Sequence, residues 1–201
     1  PLVEDLGRIA AGLVHESIIR VHVEVQGEVV DNDLKILETS ALKGLLTQLI
    51  SEPVSYVNAP NLAKDRGIET SLHGTPESLD HKVKITVEVT TTNGEVASAS
   101  GTVVGQQSLI KLVGIDKYDL DVAISENMAF IKYGDRPGMM GIVGGILGKA
   151  NINIANLQLS RDTKGGNALI ALTVDSQIPM DVLNEISSAM QASFARAVNL
   201  N

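Results

Sequence analysis

The 201-residue chain contains no cysteine and no tryptophan, and aromatic residues make up only 2% of it. The missing cysteine removes disulfides, thiolate metal sites and cysteine nucleophiles in one step, and it fits a reducing cytosol. Three Tyr and two Phe leave little surface for stacking bases or caging a quaternary ammonium. Basic charge is also short. Lys and Arg number 16 against 24 Asp and Glu, a net charge of −8 with a pI of about 4.9. The basic footprint of a nucleic-acid binder is therefore lacking, as is attraction to an anionic membrane surface. No apolar run approaches the roughly 18 residues that span a bilayer, and no signal-peptide pattern opens the chain. A soluble cytoplasmic protein is expected, with neither nucleic acid nor membrane as partner. The chain starts at Pro1 rather than Met, and "PLVEDLGRIAAGLV" reads as a helix entered at its start or partway along. A fragment or processed piece is the expectation.

Hydrophobic residues are 44% of the chain and charged residues 20%, the balance of a packed core. The length suits one large domain or two small ones. Val3, Leu6, Ala10, Leu13 and Val14 recur at helical spacing. "IIRVHVEVQG" alternates, with Ile19, Val21, Val23 and Val25 on one strand face. Leu34, Leu37, Ala41, Leu45, Leu46 and Leu49 predict one helix face, capped by Asn32 or Asp33 and stopped before Pro53. "NLAKDRG" predicts a short helix ended by Gly67. Two alternating runs around Asn93-Gly94 predict a hairpin with a type I′ turn. Short strands follow near Leu109–Val113 and Tyr118–Val122, and the first domain is drawn as residues 1–125.

From 126 to 201 the pattern becomes strand, helix, strand, strand, helix, strand. Its segments are "NMAFIKY", "PGMMGIVGGILGKA", "INIANLQLSRD", "NALIALTV", "PMDVLNEISSAM" and "SFARAVNL". A βαββαβ order in about 75 residues is the ferredoxin-like split unit. The expected class is α+β: a mixed α/β domain followed by a ferredoxin-like one.

"YGDRPGMMGIVGGILGKANIN" crowds six glycines between Tyr133 and Asn153. A dinucleotide loop needs G-x-G-x-x-G, and no two of these glycines stand two apart; no G-K-[ST] follows either. On a helical wheel Met139, Val143, Ile146, Leu147 and Ala150 share one face, and Gly141, Gly144, Gly145 and Gly148 fall nearly opposite. Each such glycine costs about 1 kcal/mol of helix stability relative to Ala. The glycine face is either bare and solvated or packed closely by another backbone, with a partner helix favoured.

Other motifs fail. "SALK" lies inside an amphipathic helix without the S-D-N and K-T-G that would accompany it. "DNDLKILE" lacks the sixth-position glycine of a calcium loop, and "HESII" lacks the second His of a zinc helix. His15, His22, His73 and His81 have no metal-ligand spacing. No catalytic constellation and no metal site are found. What remains is the junction "KYGDRPG". The N–H groups at the following helix start favour a carboxylate, and Asp135 can accept from an ammonium. Asn153, beyond the helix, offers donor and acceptor. Together they suit a zwitterion, with Asp135 as a mere helix cap and Asn153 as a turn residue the bland alternative.

These residues resemble a known family. "YGDRPGMMGIVGGILGKANINIANLQLSRDTKGGNALIALTVD" resembles an ACT domain, a regulatory module of amino-acid metabolism. "YVNAPNLAKDRGI" with the "TNGEV…SGTVVG" hairpin resembles the intervening, allosteric substrate-binding domain of long-form D-3-phosphoglycerate dehydrogenase. Together they cover essentially the whole chain. The resemblance implies the C-terminal regulatory portion of an NAD-dependent enzyme of serine synthesis. Catalytic domains upstream would hold the NAD, and this portion would carry no cofactor. It implies feedback inhibition by L-serine, or a similar amino acid, bound between two ACT domains of a homodimer or homotetramer. The residues carried over by position are Tyr133, Asp135 and Asn153, with backbone amides around Gly138, Met139 and Met140. Many relatives have His and Asn where Tyr133 and Asp135 stand. A candidate anion site in the intervening domain is carried by Lys111 and Lys117, while Asp121 and Thr173 stand where a base would help. Two alternatives are the β portion of an iron–sulfur L-serine dehydratase, whose P-S-S-S-H-T-like stretch is missing, and a stand-alone amino-acid-sensing protein.

Overall fold

Helix α1 (Leu2–Leu13) buries Leu2, Val3, Leu6, Ile9, Ala10 and Leu13, the stripe that its helical spacing predicts. The structure, a computed structural model, describes residues 1–27, 34–78, 80–105 and 108–201 and divides into two compact units, Pro1–Asp116 and Lys117–Asn201. After α1 the first unit holds β1 (Ile18–Gly27), α2 (Lys35–Leu49), α3 (Ala59–Asp65), β2 (Glu69–Thr75), β3 (Val83–Thr91), β4 (Val96–Val104) and β5 (Leu109–Ile115). Its strands run in the order β2-β1-β3-β4-β5. The β1–β2 pair is parallel and the other pairs are antiparallel. Helix α1 lies against β3, β4 and β5, and α2 against β1 and β2. The two helices touch backbone to backbone. A Cβ on Gly7 would run into the carbonyl of Ala41, and one on Gly44 into the carbonyl of Glu4.

Three local expectations change here. A register shift between Ile18 and Arg20 breaks the alternation, so Ile18 is buried while Ile19 is 41% exposed. A bulge of this kind re-aims one side chain without altering the strand. Helix α2 turns Glu38, Ala41, Leu42, Leu45 and Leu46 inward, leaving Leu34 and Leu37 half-buried and Leu49 exposed, because its inner face is set by the approach to α1. The hairpin exists, but its loop is Thr92–Gly94, closed by Thr91 N on Glu95 O at 2.9 Å. Gly94 has φ +83° and Asn93 is not left-handed, so the turn is not type I′, which needs both. Asn93 Oδ1 instead accepts from Thr91 Oγ1 and Glu95 N. The cap predicted at Asn32 or Asp33 lies outside the described residues. Gly67 does end α3, at φ +68°.

The second unit runs β6 (Tyr118–Ala123), β7 (Asn127–Gly134), α4 (Met139–Lys149), β8 (Ile154–Arg161), β9 (Asn167–Val174), α5 (Met180–Met190) and β10 (Phe194–Asn199). Strand order β10-β7-β9-β8, antiparallel throughout, with a helix crossing after the first and third strands, is the ferredoxin-like arrangement. Its core joins Ala129, Ile131 and Tyr133 of β7 and Ile170 and Leu172 of β9 to Val143, Ile146 and Leu147 of α4 and Leu183, Ile186 and Met190 of α5. The glycine face of α4 points outward, and a Cβ on Gly141, Gly144, Gly145 or Gly148 would meet open space. Strand β6 opens this unit, where Asp121 N donates to Gln158 Oε1 of β8 at 2.7 Å.

Candidate ligand site

The chain leaves β7 at Gly134, and Asp135 N donates to Gly166 O at 2.8 Å, tying the junction to the β8–β9 turn. Gly138 then takes φ +90° and ψ −10° as the N-cap of α4. This is the conformation of the third residue of a type II turn, which glycine adopts without strain. Its carbonyl accepts from Ile142 N at 3.2 Å, closing the first helical turn. Pro137 therefore stands just before α4, and Pro179 is the N-cap of α5. No side chain caps α4, and its first turn holds no acidic residue. Its leading N–H groups thus carry the partial positive charge of an open helix start. Met139 is buried in the core and Met140 is half-buried, so in these two only the backbone is suited to meet a ligand.

Asp135 does not cap the helix. Its Oδ2 lies 3.0 Å from Nε of Arg161, the last residue of β8; the Asp135 side chain is 11% exposed and that of Arg161 53%. The pair lines a cleft of about 320 Å³ with Arg136, Pro137, Lys164 and Gly165. Arg136 is turned toward the end of α5, donating from Nη2 to Met190 O at 3.0 Å and from Nη1 to Gln191 Oε1 at 3.1 Å. Tyr133, 1% exposed, belongs to the core beneath this cleft. Burial pushes its phenol pKa up, the charge of Asp135 adds to that, and Arg161 opposes it.

Sequence reasoning missed Arg161. The signal that finds it is strand register: Tyr133 is opposite Ala168, and Ala168 is opposite Arg161, so three strand ends meet in one row. Register across β8 and β9 depends on a bulge between Ile154 and Asn156, which the sequence does not announce.

Asn153 sits at the other end of α4. It lines a cleft of about 220 Å³ with Gly148, Asn151 and Ile152, and its Nδ2 donates to Asp175 Oδ2 at 2.8 Å. Eleven helical residues separate the two places, a length of about 16 Å. One chain does not bring Asp135 and Asn153 together. The two lysines belong to different units. Lys117 begins the second unit with its Nζ on Asp162 Oδ2 at 2.9 Å, while Lys111 is half-buried on β5 in the first. Among the described residues no group of three His, Cys, Asp or Glu could hold a metal, and no helix is long and apolar enough to cross a membrane.

A family model described as the D-3-phosphoglycerate dehydrogenase intervening domain matches residues 1–116. The chain belongs to that family. It is also similar along its whole length to curated D-3-phosphoglycerate dehydrogenases. The protein of Mycobacterium leprae is 36% identical over 200 residues, covering 100% of this chain and 38% of that protein. The Synechocystis protein is 33% identical, with 99% and 36% covered, and the Methanocaldococcus jannaschii protein 30% identical, with 99% and 37% covered. The chain thus spans under two-fifths of the length of these relatives. Because the D-3-phosphoglycerate dehydrogenase similarity runs past residue 116, it takes in the ferredoxin-like unit and the junction around Asp135 as well.

Proposed function

We propose that this chain is the C-terminal regulatory portion of a cytoplasmic, NAD-dependent D-3-phosphoglycerate dehydrogenase acting in serine synthesis. In this reading residues 1–125 are the intervening domain and residues 126–201 an ACT domain. Two copies of the ACT domain bind L-serine, or a similar amino acid, between them. NAD and the catalytic residues lie in upstream domains. The family match favours this reading over a serine dehydratase portion or a free-standing sensor.

One observation carries the ligand reading: Asp135 holds a carboxylate at a cleft beside the uncapped start of α4, a helix length away from Asn153. A zwitterion's ammonium suits Asp135, and its carboxylate suits the open helix start. Asn153 completes the site only from a second copy, which fits an isologous homodimer or a homotetramer. Gly138, Met139 and Met140 contribute backbone, and Tyr133 supports Asp135 from the core. Lys117, engaged by Asp162, is given no part in an anion site.

Titration calorimetry of the intact protein with L-serine tests this. Asp135→Ala and Asn153→Ala should each weaken binding at least about tenfold, as loss of a charged or buried polar partner does. Full affinity in both variants would overturn the site, and no heat in the wild type would overturn the effector.

A further inference from the structure

We propose that Arg161 joins the open start of α4 in binding the carboxylate of the ligand while Asp135 binds its ammonium, so that this ion pair is matched head-to-tail to an α-amino-acid zwitterion. The inference rests on the amino-acid reading of the site given above and assigns a role to a residue outside it.

The contact between the two side chains runs from Nε of Arg161 to Oδ2 of Asp135 at 3.0 Å. A guanidinium carries five N–H donors and a carboxylate two acceptor oxygens. The single contact therefore leaves Oδ1 of Asp135 and both terminal nitrogens of Arg161 for a ligand. Acid and base lie side by side at the cleft, as the ammonium and carboxylate of an α-amino acid do on one carbon. A planar guanidinium also meets a carboxylate in bidentate fashion, which a lysine cannot do.

The surroundings favour a zwitterion over a bare anion. Arg136, the other guanidinium of the cleft, spends its terminal nitrogens on Met190 O and Gln191 Oε1. An inorganic anion would face the Asp135 carboxylate, whereas a zwitterion satisfies both signs and leaves the cleft's charge unchanged. Lys164 lines the same cleft and adds positive potential to it. The pair has little value as a fold device, because an ion pair with an exposed partner adds little to stability. Strand register holds the Arg161 backbone opposite Ala168.

Titration calorimetry of the intact protein with L-serine and with 2-aminoethanol, which keeps the ammonium and hydroxyl but lacks the carboxylate, reads this role directly. The wild type should bind L-serine about ten- to a hundredfold tighter than 2-aminoethanol, the span of one charge-assisted contact. Arg161→Gln should narrow that preference several-fold by weakening L-serine alone, the open start of α4 keeping the remainder, and Arg161→Lys should restore part of it. Circular dichroism of each variant should match the wild type. L-serine binding that is unchanged or tighter in Arg161→Gln overturns the role, since Arg161 would then merely compete for Asp135. Arg161-dependent binding of inorganic phosphate with no heat from L-serine would make the cleft an anion site and overturn it too. No heat from either amine in the wild type overturns the amino-acid reading itself, whereas a wild-type response that Arg161→Gln leaves intact removes only the role of Arg161.

Discussion

At the scale of single residues, two carboxylates tie stability to pH. Glu4 is met by Lys43 at 2.5 Å, Tyr56 at 3.0 Å and Arg8 at 3.4 Å. Burial raises its pKa, but the hydrogen bonds from Lys43 and Tyr56 and the nearby charges outweigh burial and hold it below the ordinary 4.5. Asp162 accepts from Lys117, from the backbone of Asn167 and from that of Thr163, and lies far below the ordinary 3.8. A carboxyl whose folded pKa is depressed contributes stability that is complete above its unfolded value and fades as pH falls toward the folded one. Half-buried Asp5, with its pKa raised by desolvation, acts in the opposite sense. Urea midpoints measured from pH 6 downward should therefore decline once pH passes below about 4.5. Asp162→Asn should flatten that decline; an identical pH profile in this variant would remove Asp162 from the account. At Tyr133, loss of the hydroxyl in Tyr133→Phe should leave L-serine affinity within a fewfold of wild type, because the ring is core. A loss as large as that of Asp135→Ala would put the phenol in the site.

At the scale of elements, glycine serves two opposite purposes. Between α1 and α2 it permits contact. Gly7→Ala or Gly44→Ala must separate the helices, and each should cost about 1–3 kcal/mol, the usual penalty of overpacking, read from thermal or urea unfolding. On α4 the glycines face open space, so Gly144→Ala and Gly145→Ala should each stabilise an isolated chain by up to about 1 kcal/mol. If a partner's backbone packs on that face, the same changes weaken self-association. Sedimentation at several concentrations separates the two effects. The buried and bare sides of α4 were legible from the sequence because 3.6-residue periodicity is local. So was the βαββαβ order, since each segment's period and its Pro and Gly punctuation are local as well. The displaced Ile19, the loop at Asn93 and the inner face of α2 were not, because a bulge, a turn angle and a helix contact are decided by the neighbouring element. The same holds in the site. Asp135 and Asn153 stand out as polar residues flanking a helix, while Arg161 acquires meaning only when the β8–β9 register lays it beside Asp135.

At the scale of the whole molecule, the proposed function gives the ferredoxin-like unit two unlike half-sites. The Asp135 end carries an acid–base pair and a free helix start, and the Asn153 end an amide already engaged by Asp175. A two-fold pairing of chains that sets one end against the other does so twice, so ligand sites should arise in equal pairs. Calorimetric stoichiometry of one L-serine per chain checks this; one per dimer would point to a single shared site. In the proposed arrangement α4 holds the two ends about 16 Å apart and each ligand is shared by two chains, so affinity for the amino acid and affinity between chains would be reciprocal quantities. Dilution should therefore act as an antagonist of the effector, and the effector as an adhesive between subunits. A protein built this way reports its own concentration along with that of the amino acid.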